Sequence, residues 1–512
     1  MKSKYLFIIL LSLQFTSEAF TITPLRTVSN KPKPICSLKM SQYPQAQKPS
    51  QAPQAKNPSL PISYTKEKGL QFFDIPATSE IWMIAIVYFI QGLLGISRLA
   101  LSFYFKDTLH LSPVDMTYIS SIAAIPWIIK PFYGFISDTF PLFGYKRKSY
   151  IALSGILGTI SWVMLTFLAT LDNKTPIIYS VLLVSMSSLS IAFSDVLVDA
   201  IVVSKSRDQS QAGSLQSLCW SASAIGGLIS SYLSGHLLQQ YGIPTVFALT
   251  AMMPLAMAAT SVLMREDKSN TMKENHDVIL EAKPTSLHLL KQQAYNIKNV
   301  LSNKQILYPL LFIIIWNIIP SDGSALFYFQ VNELHFKPEF LGTLGLASSL
   351  SSLIGIVIYN QKLKTVPLKT LFKWTCILGT VLGMSPLILI THFNSSLGLP
   401  DTWFAIIDDI ILSILGQITF MPILVLAANM CPPGVEAMLY ATIMGTINLS
   451  GSIGKIFSGL LTKSMGITNH NFTNLPLLVI LTNLTALIPL MFLGLLPNNT
   501  NKSSKTNNAE QA

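Results

Sequence analysis

The sequence predicts an all-α integral membrane protein with twelve transmembrane helices arranged as two six-helix bundles. Three observations carry this. Only 12% of the 512 residues are charged and half are hydrophobic, whereas a soluble domain carries about 25% charged residues. Twelve apolar runs, each of roughly 20 residues and so long enough to cross a bilayer, can be placed along the chain. The Lys and Arg between these runs fall unequally on alternate sides, fifteen against four, as the positive-inside rule requires of a correct count.

The chain opens with a leader. Residues 1–19 carry Lys2 and Lys4, a short apolar core and then small and polar residues, the shape of a secretory signal peptide. Residues 20–79 are rich in Ser, Thr, Pro, Gln and Lys and nearly lack acids, as transit peptides and plain disordered tails do. The order of the two predicts delivery to a plastid envelope. The competing destination is the plasma membrane or another secretory-pathway membrane. Asn173, Asn394 and Asn471 open glycosylation triplets in loops on the non-cytosolic side and favour that competitor.

Six spans follow, centred on 81–105, 114–137, 150–171, 176–203, 212–239 and 244–264, forming a first bundle over 80–264. A polar stretch over 265–304 is the only long internal connection. Six more spans, at 305–330, 339–360, 369–391, 402–430, 435–462 and 474–496, make a second bundle over 305–496, before a polar tail over 497–512. The charge asymmetry puts both ends of the chain and the linker on the cytosol-equivalent side.

Charges inside the spans are the candidates for function, because a charge at membrane depth must face a partner or a watery cavity. The fourth span holds Asp195 and Asp199, four residues apart and hence on one helix face. Gln216 and Trp220 follow on the fifth span. Arg98, deep in the first span beside Gln91, reads as cavity-facing, while Lys130 in the second either faces the same cavity or snorkels to the headgroups. The acids could also serve only as ion-pair partners for Arg98 or Lys130. In the seventh span Pro320 and Gly323 flank Asp322, and a broken helix frees backbone groups that can bind a solute. In the tenth, Asp408 and Asp409 point to different sides of the helix, so that either one of them faces the pathway or both lie near the outer end and are solvated. At the start of the eleventh, Pro432, Pro433 and Gly434 fit a turn and a helix opening, and Gly451 belongs to a small-residue packing face.

The segment after the second span, GFISDTFPLFGYKRKSY, is similar to the loop between the second and third helices of major facilitator superfamily transporters. Gly134, Asp138, Gly144, Lys146, Arg147 and Lys148 would form its conformational latch, with a stretched spacing between the acid and the basic cluster. That segment, FSDVLVDAIVV, GSLQSLCWSASAIGGLISSYLSG, PEFLG and CPPGVEAMLYATIMGTINLSG, in this order, resemble the folate–biopterin transporter family, a branch of that superfamily. The resemblance implies a secondary transporter of folates or related pterins, proton-coupled and working by alternating access. Another cargo on the same fold, such as S-adenosylmethionine or an amino acid, is the alternative. Gln417, where an acid is expected, and Lys455, where a small or neutral residue is expected, depart from the pattern.

A folate site needs an apolar or aromatic slot, a carboxylate or amide for the pterin edge and a cation for the anionic tail. Trp127, Trp220 and Phe327 could stack, though each serves as well in packing. Proton coupling needs a carboxylate that desolvation or a like neighbour makes protonable near neutrality. The deeper acid, Asp195, is the better candidate for substrate or proton. No cofactor, metal site or disulfide framework is expected: the four cysteines and scattered histidines lack ligand spacing. No nucleophile–base pair points to an enzyme. The net charge of +11 belongs to leader and loops, so it signals membrane orientation and not nucleic acid. The expected partners are the solute, protons and lipid, with a monomer as the functional unit.

Overall fold

The structure is a computed structural model and describes residues 71–72, 75–76, 78–171, 176–205, 212–266, 302–430 and 436–497. Most of the leader, most of the linker, the tail and Pro432, Pro433 and Gly434 therefore lie outside the described residues. Among the described residues the fold is helical, with only a two-residue ladder pairing Gln71–Phe72 and Ile75–Pro76. Nine helices are long and apolar enough to cross a membrane.

The difference from twelve has three local causes. The run Leu218–Leu263 spans 46 residues, but Gly242 interrupts it at φ +76, so it holds two helical segments with a tight turn between them. Lys304–Asn317 and Gly323–Asn332 are separated at Pro320, whose ring cannot donate to a helix ladder. Glu436–Ser464 is long enough at 29 residues but carries Asn448, Lys455 and many Ser, Thr and Gly.

We number the elements used below α1 (Ser79–Leu93), α2 (Ile96–Phe103), α3 (Pro113–Ala123), α4 (Ile125–Ile128), α5 (Lys130–Thr139), α6 (Lys148–Thr170), α7 (Ile177–Lys205), α8 (Ala212–Thr260), α9 (Lys304–Asn317), α10 (Gly323–Asn332), α11 (Pro338–Ile358), α12 (Leu368–Leu382), α13 (Asp401–Asn429) and α14 (Glu436–Ser464). Their starts follow capping chemistry. Thr78 caps α1 through the N–H of Ile81, and Ser112 with Asp115 forms a reciprocal capping box at α3.

The two halves of the chain meet along two seams: α14 follows the second span from Tyr118, beside Gly459, to Ile128, beside Gly445, with Asn448 donating to the Trp127 carbonyl at 3.3 Å, and the other seam joins α8 and α11. There Gly235 of α8 and Gly342 of α11 cross so closely that a Cβ on Gly235 would meet the Pro338 carbonyl at 2.3 Å. The Phe103 and Phe327 rings meet edge-on at 5.6 Å, and the Tyr328 hydroxyl donates to the Leu111 carbonyl at 2.7 Å. One apolar cluster therefore draws on both halves, with Phe105 and Leu111 from the first and Phe336 and Leu344 from the second. Toward the other end each half keeps its own cluster: Ile84, Leu197 and Leu215 in one, Phe312, Phe372 and Leu426 in the other. The apolar clusters are thus shared at one end and separate toward the other, while α14 and the second span stay in contact beyond the shared cluster.

Candidate functional site

Two prolines shape the site. Pro126 opens α4 and Pro131 opens α5, so the second span bends twice, at Ala124 and at Ile129. The Tyr133 hydroxyl donates to the Pro126 carbonyl at 2.9 Å. The bends turn Trp127 and Lys130 toward α7. There the Trp127 Nε1 donates to Ser188 Oγ at 3.1 Å, and Ser188 Oγ donates to the Ala123 carbonyl at 2.6 Å.

Lys130 forms an ion pair with Asp195, both side chains being about 15% exposed and thus largely out of water. Its Nζ also lies 5.0 Å from the centre of the Trp127 ring, a cation–π contact that strengthens as water is excluded. One turn further along α7, Asp199 accepts a hydrogen bond from the hydroxyl of Tyr88, a buried residue of α1. Asp199 as a residue nonetheless keeps exposed surface, while its carboxylate is held by the buried Tyr88. Behind the pair, Phe193 lies between Tyr133 and Tyr150, with centroids at 4.8 and 5.5 Å, and ties α5, α6 and α7 together.

Of the residues singled out in the sequence, the structure thus joins Lys130, Asp195 and Trp127 directly and sets Asp199 one turn away. Tyr88 and Ser188 were not anticipated; a tyrosine in mid-span was the signal available for the first. Arg98 is exposed and makes no ion pair with a described acid, so the salt bridge belongs to Lys130. Trp220 is 45% exposed, and the Gln216 side chain lies outside the described residues. Phe327 packs edge-on against Phe103 and Tyr328, the packing role.

In the second half, Asp322 sits half-buried at the break before α10, beside Ser321, whose N–H donates to Ser458 Oγ at 2.8 Å. Asp408 and Asp409 depart from the solvated placement expected of them. Asp408 accepts a hydrogen bond from Ser385, and Asp409 Oδ2 is enclosed with no hydrogen-bond partner among the described residues; two helix turns of α13 separate both acids from its start at Asp401. Gln417 faces α11, its Cβ against Gly355, and donates to Met421 Sδ at 3.4 Å. Close packing of α14 falls on Gly445, Gly454 and Gly459; a Cβ on Gly451 would meet nothing within 4 Å. Lys455 is exposed. Among the described residues no group of three or more His, Cys, Asp or Glu could hold a metal ion.

The latch loop has an acid the sequence reading missed. Phe143 and Gly144 both take positive φ in a tight turn, with Leu142 and Tyr145 exchanging backbone hydrogen bonds across it. The Asp138 side chain lies outside the described residues, and Gly134 makes only ordinary contact with Val196. Glu266, just beyond the end of α8, accepts the N–H groups of Lys146, Arg147 and Lys148 at 2.8–3.2 Å and so caps α6. Lys148 Nζ returns the contact, donating to the Met264 carbonyl at 3.3 Å. Glu266 reads as linker in the sequence, since only the fold shows which helix start it reaches. Replacing three charge-assisted bonds by none costs about 1–3 kcal/mol. Glu266→Ala should therefore lower the thermal unfolding temperature of the detergent-solubilised protein, with Glu266→Gln intermediate. Equal melting temperatures for all three proteins would remove the cap from the account.

A model of the BT1 family matches residues 91–512. A "Folate-biopterin transporter" from Synechocystis sp. is 46% identical over 420 residues, covering 82% of each chain. "Folate transporter 1" from Plasmodium falciparum is 30% identical over 422 residues, covering 82% of this chain and 80% of that one. Among solved structures, the nucleoside transporter NupG superposes with a TM-score of 0.58 at 14% identity, over 81% of this chain and 98% of that one. That last likeness is one of fold alone and says nothing of cargo.

Proposed function

Because the chain belongs to the BT1 family, the folate–biopterin transporters, we propose that it moves folates or related pterins across its membrane by proton-coupled alternating access. Its relatives are named as transporters, and it is not an enzyme. Twelve crossings follow if 218–263 is divided at Gly242, if 304–317 and 323–332 form one broken span, and if 436–464 is added. The bundles over 80–264 and 305–496 then rock about their contact. With the basic loops facing inward, the end that shares one apolar cluster between the halves is the outer one. Residues 134–148, with Asp138 as the acid, act as the latch of the first bundle, and Glu266 anchors its basic cluster.

One observation carries the proposal: a lysine, two carboxylates and an aromatic ring are gathered between the first, second and fourth spans. A folate brings an anionic glutamate tail and a pterin with donors and acceptors on one edge. The tail competes with Asp195 for Lys130, and the acid so released can read the pterin edge or take a proton. Arg98, Gln216, Trp220 and Asp322 complete the pathway on either side. The protein serves as a monomer.

Uptake of labelled folate by a folate-requiring host tests the cargo, with unlabelled S-adenosylmethionine and amino acids as competitors. Folate should accumulate and only pterins should compete. Accumulation of another solute in place of folate would sink the reading. We place the protein in a plastid envelope on the order of its signal-like and transit-like segments. Of the glycosylation triplets that favour the secretory competitor, Asn394 is fully buried and donates to the Leu399 carbonyl and to Asp401. A fluorescent fusion of residues 1–80 should label plastids; label confined to the plasma membrane or endoplasmic reticulum would overturn that placement.

A further inference from the structure

We propose that Gln91 donates a hydrogen bond to the ring carbonyl of the bound pterin, completing with Asp195 the recognition of one edge of that ring. This rests on the reading of the site given above.

The geometry comes from two contacts between the first and fourth spans. Tyr88 bonds Asp199, and Tyr104 bonds Ser180 at 2.8 Å. Between these points one chain climbs 16 residues (88 to 104) while the other descends 19 (199 to 180), so the helices are antiparallel. Three residues up from Tyr88 is Gln91, and the matching step down α7 ends about four residues before Asp199, at Asp195. Gln91 therefore stands level with the Lys130–Asp195 pair. Its helix neighbours Ile84, Val87 and Ile90 are buried and apolar, the setting for a leucine. Yet its Nε2 is enclosed with no hydrogen-bond partner among the described residues. An enclosed amide donor left unpaired is a standing cost, and native chains seldom keep one without use.

The chemistry of the ring supplies the use. A pterin presents, in sequence along one edge, a 2-amino group, an N3–H and a 4-oxo group: two donors and then an acceptor. A carboxylate can take the donors but repels the oxygen. The group beside it must be a donor, and Lys130 is committed to Asp195 or to the anionic tail. Gln91 is the amide at that level.

The test is uptake into proteoliposomes of labelled folate and of its 4-amino-4-deoxy analogue, in which the acceptor becomes a donor. Gln91→Leu should raise the KM for folate about tenfold, the worth of one buried hydrogen bond. It should leave the thermal unfolding temperature unchanged or higher, because an unpaired donor has gone. Gln91→Glu, an acceptor only, should shift preference toward the 4-amino analogue by about tenfold. An unchanged folate KM in Gln91→Leu overturns the proposal, as does equal loss of both substrates with a lowered unfolding temperature, which marks a structural residue. Asp195→Asn, measured alongside, separates the two levels. If it abolishes uptake while Gln91→Leu does nothing, only the role of Gln91 falls; if neither matters, the site itself is elsewhere.

Discussion

Asp195→Asn is expected to abolish concentrative folate uptake, by about 100-fold or more, and to destabilise the protein as well. The reason is the company that Asp195 keeps. It is paired with Lys130, with little of either side chain in contact with solvent. Removing one member of such a pair leaves the other charge uncompensated at a cost of about 3–5 kcal/mol. Lys130→Met should do similar damage from the other side. The double variant Asp195→Asn with Lys130→Met removes both charges and should recover most of the lost stability. Recovery of stability without transport is the expected outcome, because a site that trades a lysine between its own acid and the substrate needs both groups. If the double variant transports like the parent, the pair only holds helices together. Unfolding temperatures measured beside uptake for all four proteins decide between these.

The hydrophobic pattern made the helical membrane class legible, since every 20-residue apolar run must be a helix if it is to hide its backbone from lipid. It could not show that Gly242 compresses the turn between two spans until they read as one helical run, or that Pro320 splits another. Those are backbone events, and hydropathy is blind to them. In the site, the spacing of Asp195 and Asp199 was enough to place both on one helix face. Their partners depend on which helices pack together: Tyr88 and Lys130 lie more than 60 residues away in the chain. Lys130 was readable as an in-span cation and, beside Arg98, as one of two possible ion-pair partners; which of the two pairs depends on the bends at Pro126 and Pro131. Asp408 and Asp409 show the opposite failure. Two adjacent acids looked suited to a wet helix end, whereas the tertiary packing encloses them between neighbouring helices.

On the proposed function, the pairing separates two roles that the sequence assigned to one acid. Asp195, held by a cation, is fitted to exchange partners with an anion. Asp199 is held by a neutral phenol, has exposed surface and lies near the buried thiol of Cys219. It can gain or lose a proton without breaking an ion pair.

Asp199→Asn should therefore uncouple the transporter while leaving the passage open. A gradient of one pH unit is worth about 1.4 kcal/mol per proton, enough for about tenfold accumulation of a solute carried with one proton. Proteoliposomes with wild-type protein and an acid exterior should approach that ratio. With Asp199→Asn the ratio should fall to about unity, whereas exchange of labelled for unlabelled folate, which needs no net proton movement, should persist within about twofold. Asp199→Glu keeps the titratable group and should retain part of the accumulation. The opposite result is equally informative: if Asp199→Asn still concentrates folate tenfold, the proton travels elsewhere, and Asp195 or the enclosed Asp409 becomes the carrier to test. Exchange lost together with accumulation would make Asp199 a binding residue, and the division of labour between the two acids would fail with it.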